Sequence, residues 1–487
     1  MEQSQGTPQG GGLMARYRRG EFFCELTSPR AAGQEALQAL FSRLDGLDEE
    51  TLRRRIAAAE EELYDLGITF TVYSDKDAID RILPFDVLPR VITAPEWSVL
   101  EAGIIQRVTA INLFLDDLYH DQRIVADKVV PADLVLGNAN YHAFMKGLKV
   151  PCGAYSHVCG IDLIRDQEGL FRVLEDNART PSGVSYVVEN RNLMLQCFPD
   201  LMEGFGVRSV DNYGLMLRQA LEEIAPDTGS EPKVVLLSPG IFNSAYFEHV
   251  FLAREMGVPL VEGRDLVVED DRVFMLTTAG RSPVDCIYRR IDDAFLDPKV
   301  FRPDSMLGVP GLMEAYRKGA VSIANAPGTG VADDKAVYAY MPRIVKYYLG
   351  EDAILPNVET FICREAEGLK YTLDNLDQLV VKPVGESGGY GMILGPKATR
   401  AELDEFRAKL KADPANYISQ PMIGLSVCPT LTAKGVEPRH VDLRPFAVTG
   451  AKTRVLAGGL TRVAMKEGSL VVNSSQGGGS KDTWVLE

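Results

Sequence analysis

The chain has no cysteine pair with the spacing of a metal knuckle. Its seven cysteines (Cys24, Cys152, Cys159, Cys197, Cys286, Cys363 and Cys428) contain no CxxC, and Cys152 and Cys159 stand too far apart to replace one. Scattered, odd-numbered thiols suit a reducing compartment, so a cytoplasmic protein is the expectation. Histidine is scarce. The five (His120, His142, His157, His249 and His440) show neither HxH nor HExxH spacing and read as structural. No run approaches the apolar length that crosses a bilayer. The first twenty residues are polar and glycine-rich, without the apolar core of a signal peptide, and read as a disordered tail. Positive charge is short too: 52 basic against 68 acidic residues leave a net charge of -16. That balance excludes a nucleic-acid binder that works through a general basic surface, yet leaves room for a local basic pocket. There is no GxxxxGK[ST], so the chain carries no Walker A loop.

What is present centres on QLVVKPVGESGGYGMILG, residues Gln378 to Gly395. Leu379 to Val381 are apolar and read as a buried strand that Lys382 and Pro383 end. Gly385, Gly388, Gly389 and Gly391 bracket Glu386, Ser387 and Tyr390, and Met392 to Leu394 begin a second strand. Glycines let backbone N–H groups converge on phosphate oxygens, with the lysine beside them. A Rossmann turn would need a helix after its glycines, and none starts here. Gly385 to Gly389 also fits the GxSxG elbow of serine hydrolases, with Asp404 and His440 following, but that elbow needs the same missing helix.

Around this stretch, Ala32 to Leu66 and Trp97 to Tyr119 have helical periodicity and read as scaffold. YSHVCGIDLIRD and LFRVLEDNA read as two strands joined near Gly169. Lys233 to Val261 reads as a small βαβ unit. Asp162 lies on the first of the two strands, and Glu175 and Asn177 end the second. Residues two apart share a face of a strand, so Glu175 and Asn177 point together and Asp162 opposes them. Two carboxylates and an amide oxygen suit Mg²⁺; the plainer alternative is a solvated strand end. Lys335, Lys382 and Arg444 sit at ends of apolar segments. Asp442 and Arg444 alternate onto one face, where Arg444 could clamp a transferring phosphoryl group or merely pair with Asp442. Tyr417 to Ile423, ending in Gln420, Pro421, Met422 and Ile423, reads as an edge strand whose free backbone suits a flat heterocycle such as adenine. Arg289 and Arg290, after the strand DCIY, are candidates for a substrate carboxylate, with a surface pair as the alternative. Arg462, Asn473, Ser474, Ser475 and Gln476 crowd a glycine-rich segment near the C-terminus; Asn473 and Gln476 join the substrate candidates.

Seven blocks in order carry a family resemblance: FDVLPRVI, EDNARTPSGVSYVVENR, SPGIFNSAYFEH, GTGVADDKAVYAYMP, VKPVGESGGYG, VDLRPF and NSSQGGGSKDTWVL. The chain resembles the circularly permuted ATP-grasp proteins, a group often labelled glutathionylspermidine synthase-like. The metal-type Glu-x-Asn precedes the phosphate lysines and glycine loop here, the reverse of ordinary ATP-grasp order. The resemblance implies an α/β (α+β) ATP-grasp fold, circularly permuted, with a helical N-terminal layer and a small βαβ pre-ATP-grasp subdomain. The expected division is a tail over 1–20, a helical region with the permuted metal-binding strands over 21–230, the βαβ subdomain over 231–330 and nucleotide-binding lobes over 331–487. ATP and Mg²⁺ are the implied cofactors. Asp162, Glu175 and Asn177 would hold Mg²⁺, and Lys335 and Lys382 would contact phosphates. Ser387, Gly388, Gly389, Tyr390 and Gly391 would close over them, Gln420, Met422 and Ile423 would hold adenine, and Arg444 would steady an acyl phosphate. The implied activity is an ATP-dependent carboxylate–amine ligase. A phosphotransferase and a non-catalytic nucleotide-binding partner protein are the alternatives. No amidase-like cysteine–histidine motif accompanies the blocks, so glutathione and spermidine do not follow as substrates. Small-molecule or peptide carboxylates and amines are the expected partners, without nucleic acid or membrane; homo-oligomerisation stays open.

Overall fold

The computed structural model describes residues 17–28, 34–65, 67, 69–73, 78–384, 391–469, 472 and 478–487. Both helical readings are observed. The first divides into Gln34–Asp45 and Glu49–Asp65, and the second runs from Ala94 to Tyr119. The long helix starts where Pro95 suits a first turn and where Glu96 accepts from the backbone N–H and hydroxyl of Thr93. The expectation that no run approaches a membrane-crossing length is corrected here, since by length and composition this helix is long and apolar enough. Trp97, Leu100, Ile104, Val108, Ile111, Phe114, Leu115 and Leu118 are instead buried against neighbouring elements, so it is a core helix here.

Among the described residues the largest sheet has nine strands. Its path runs Thr453–Val455, Phe446–Thr449, Val158–Arg165, Gly435–Arg444, Leu460–Val463, Gly479–Val485 and Phe85–Ile92. Phe171–Asn177 adds to Val158–Arg165, and Val427–Thr432 adds to Gly435–Arg444. All pairs are antiparallel except Gly479–Val485 with Phe85–Ile92. The sheet therefore interleaves strands from segments 21–230 and 331–487.

Two further sheets have four strands each. One is parallel, in the order Ser322–Ala324, Cys286–Arg289, Val234–Leu237 and Leu260–Val261, with the helix Tyr246–Met256 as the crossover of the expected βαβ unit. The other runs Phe361–Ile362, Tyr417–Pro421, Leu379–Pro383 and Ile393–Leu394. The hairpin read from the sequence is there: Val380 faces Leu394 and Val381 faces Ile393. Gly391 returns the chain in the left-handed region, at φ 69°, against the Pro383 ring. The edge-strand expectation for Tyr417 to Ile423 is corrected. Tyr417–Pro421 is an interior strand because Phe361–Ile362, more than fifty residues earlier, covers its outer side. Sheet pairing stops at Pro421, so Met422 and Ile423 leave the sheet. None of the seven cysteines is disulfide-bonded.

Candidate functional site: an acid pair among four cations

The strands Val158–Arg165 and Phe171–Asn177 pair so that Asp162 faces Glu175 and Gly160 faces Asn177, with a bulge just beyond Asp162. This is the arrangement expected from period-two alternation. Asp162 is fully buried and accepts on both oxygens. Arg444 binds it through Nε, and through Nη2 at 2.7 Å; Arg462 Nη2 donates at 2.7 Å and Asn177 Nδ2 at 3.2 Å. Burial alone would raise this carboxyl. The guanidiniums of Arg444 and Arg462 outweigh it and hold Asp162 below the ordinary carboxylate range. The sequence left Arg444 paired with Asp442 as one alternative. In the structure Asp442 is spent on Arg462, which stands directly opposite it, and Arg444 is free to reach Asp162.

Glu175 is the accessible acid, with 31% of its side chain exposed. Its oxygens face Lys335 at 3.7 Å and Arg444 at 3.8 Å. Burial and the neighbouring Asp162 raise its pKa, against the pull of Lys335 and Arg444. The amide orientation of Asn177 follows from its partners. Both the Gly160 carbonyl and Asp162 Oδ1 are acceptors, so Nδ2 faces them and Oδ1 is turned away. Gly160 lies beneath Arg444, where a Cβ would come within 3.3 Å of its Cδ.

Lys335 is the first residue of the helix Lys335–Leu349. Asp334 caps that helix by accepting from Ala336 and Val337. The Lys335 N–H donates to the Val384 carbonyl, just before the glycine loop. Lys382 ends its strand and donates from Nζ to Gln420 Oε1 at 2.8 Å; Gln420 Nε2 donates onward to Thr360 Oγ1 at 2.9 Å. Burial pushes the Lys382 ammonium down to about 8; Glu175 and Asp162 pull it up, and Lys335 adds to the depression. Four cations (Lys335, Lys382, Arg444 and Arg462) thus meet three carboxylates (Asp162, Glu175 and Asp442), a locally cationic cluster in an anionic chain.

Of the other expected site residues, Gln420 is buried with its amide spent on Lys382 and Thr360, Ile423 is half-buried and Met422 is exposed. Arg289 is an interior group. It donates to the carbonyls of Asn325 and Ile291, each at 2.7 Å, and pairs with Asp293 at 2.5 Å. Arg290 is buried as well, donating to the Pro181 carbonyl at 2.6 Å and to Glu248 at 3.0 Å. Neither is a surface pair and neither is open to a ligand; Arg290 instead holds the loop that follows Asn177. Ser387, Gly388, Gly389, Tyr390, Asn473, Ser474, Ser475 and Gln476 lie outside the described residues. Asp404 pairs with Arg407 on an exposed helix face, while His440 bonds the Leu425 carbonyl in another sheet, so the two do not form a hydrolase dyad. Missed by sequence reading was Arg107, which binds Asp176 through two bonds of 2.6 and 2.7 Å on the strand face opposite Glu175. Its one sequence signal was a charge on the apolar face of a helix.

The donor set fits Mg²⁺. Glu175 and Asn177 Oδ1 offer hard oxygens, and Mg²⁺ usually takes one or two carboxylates plus substrate phosphates. Among the described residues no cluster of three or more His, Cys, Asp or Glu is arranged to hold a metal. A separate cleft of about 460 Å³ lies between Ala339 and Pro342 of the Lys335 helix and the segment Asp352 to Thr360.

A split sheet system with phosphate-type lysines on one side and Glu-x-Asn on the other, in permuted order, defines a circularly permuted ATP-grasp fold. The chain belongs to the circularly permuted ATP-grasp type 2 family, whose model matches residues 89–464. It is 52% identical over 474 residues to an uncharacterized protein of Synechocystis, covering 97% of this chain and 98% of that one. It is 43% identical over 477 residues to a Frankia alni protein named "Putative glutamate--cysteine ligase 2-3", covering 97% of this chain but 54% of that protein. Among solved structures it resembles a glutathione synthetase like-effector of Globodera pallida in apo form. That likeness has a TM-score of 0.57 at 11% identity, over 90% of this chain and 98% of the other.

Proposed function

We propose that this chain is an ATP- and Mg²⁺-dependent ligase that joins a carboxylate to an amine through an acyl phosphate. One observation carries the reading: Glu175, with 31% of its side chain exposed, stands with Asn177 among Lys335, Lys382 and Arg444. Glu175 and Asn177 would hold Mg²⁺, which supplies charge neutralisation to the phosphates. Lys335 and Lys382 take phosphate oxygens, and phosphoryl transfer needs little beyond such positioning and charge stabilisation. Asp162 is already saturated by Arg444, Arg462 and Asn177, so its role here is to aim Arg444 at the transferring group. The family and the ligase name of the Frankia relative support a ligase. That relative is nearly twice as long as its matched part, so its named substrates are not transferred to this chain.

The test is ADP release in a screen of carboxylates and amines, with product identification by mass spectrometry. Glu175→Gln should abolish ADP formation while leaving the unfolding midpoint within a few degrees of wild type. Full activity in that variant removes the metal assignment, and a phosphorylated product in place of an amide replaces the ligase with a phosphotransferase.

A further inference from the structure

One short segment touches both halves of the site. Residues Pro356 to Thr360 leave the Lys335 helix region and enter the small sheet at Phe361–Ile362. On the way they pair with the metal strand: Val173 N–H donates to the Pro356 carbonyl and Val358 N–H to the Val173 carbonyl, both at 2.9 Å. Asn357 Oδ1 accepts from Arg107 Nη1 at 2.8 Å, and Arg107 grips Asp176, the residue between Glu175 and Asn177. Asn357 Nδ2 donates to the Tyr338 carbonyl at 2.8 Å; the Tyr338 hydroxyl donates to the Val173 carbonyl at 2.6 Å. Three residues on, Thr360 gives its hydroxyl proton to the Val358 carbonyl at 2.8 Å and accepts from Gln420, which binds Lys382.

We infer that Asn357 and Thr360 are positioning residues for nucleotide binding, each serving a different half of the site. Asn357, through Arg107 and Asp176, sets the pleat that presents Glu175 and Asn177 to Mg²⁺. Thr360, through Gln420, sets where the Lys382 ammonium stands for phosphate. Alternation makes the first link stiff: Asp176 points to the opposite face, so turning it turns both neighbours. Groups bonded directly to metal ligands change metal affinity by about 10–100-fold when removed; Asn357 stands further out, so its removal should cost less. These roles presuppose the nucleotide and Mg²⁺ reading above.

The experiment compares Asn357→Leu and Thr360→Val with wild type in three readouts: affinity for a fluorescent ATP analogue without Mg²⁺, the Mg²⁺ concentration for half-maximal thermal stabilisation by ATP, and the rate of Lys382 acetylation at fixed pH by mass spectrometry. Asn357→Leu should raise the Mg²⁺ midpoint by up to about tenfold and leave the other two unchanged. Thr360→Val should weaken Mg²⁺-free nucleotide binding about tenfold, the loss of one charge-assisted anchor, and speed Lys382 acetylation, without moving the Mg²⁺ midpoint. Thr360→Ser, which keeps the hydroxyl that Gln420 and the Val358 carbonyl use, should behave as wild type. Asn357→Ser replaces Asn357→Leu if the latter folds poorly. Equal loss in every readout from both variants, or no change in any, overturns the assignment. A wild type without Mg²⁺-dependent stabilisation overturns the ligase reading instead, and unchanged acetylation in Thr360→Val then also sinks the positioning role.

Discussion

Lys382 carries a pH dependence whose sign is fixed by its surroundings. Its ammonium loses its proton near pH 8, below the ordinary 10.5, because burial disfavours the charged form. Phosphate beside it favours that form. On the proposed function, nucleotide binding would take up a proton above about pH 8, and affinity should fall as pH rises from there, by up to about tenfold per pH unit. Lys382→Arg, which stays charged, should flatten the profile even where it weakens binding overall. Nucleotide titrations from pH 7 to 9.5 read this directly; a flat wild-type profile would place the ammonium away from phosphate. Asp162 behaves in the opposite sense. It stays ionised far into acid, so its grip on Arg444 is constant across the same range.

At the level of elements, the long helix Ala94–Tyr119 does more than its periodicity announced. Its Arg107 reaches Asp176 on the strand Phe171–Asn177, and its Gly103 lets the Leu355 side chain pack within contact of the backbone: a Cβ there would sit 2.4 Å from Leu355 Cγ. Gly103→Ala gains about 1 kcal/mol of helix propensity but meets an overpacking cost of about 1–3 kcal/mol. The unfolding midpoint should drop, and a rise would show that the Leu355 segment yields. Strand pairing shows where sequence reading succeeds and fails. Glu175, Asn177 and Asp162 were legible because period-two alternation and one tight turn fix a local hairpin. The place of Tyr417–Pro421 was not, since its neighbour Phe361–Ile362 is only two residues long and gives no periodic signal. Partners of buried charges were equally hidden. Nothing local distinguishes Asp442 bound to Arg462 from Asp442 bound to Arg444, and the roles of Arg289 and Arg290 depend on loops from other elements.

For the whole molecule, the sheet order ties strands of the expected segments 21–230 and 331–487 into one sheet. Val158–Arg165 lies between Gly435–Arg444 and Phe446–Thr449, and Phe85–Ile92 pairs with Gly479–Val485. A fragment spanning 331–487 lacks those partners, so it should remain unfolded alone by circular dichroism, and the whole chain should unfold in one main transition. An independently folded fragment would restore the boundary. The fold class itself was readable because the order of short blocks survives when their contacts cannot be seen.

The cleft between Pro342 and Pro356 shares two residues with the inferred braces. Asn357 and Thr360 form part of its wall, so a small molecule wedged there would push on both braces at once. On the inferred roles such a compound would weaken nucleotide and Mg²⁺ binding, and by reciprocity bound nucleotide would weaken the hold of the compound.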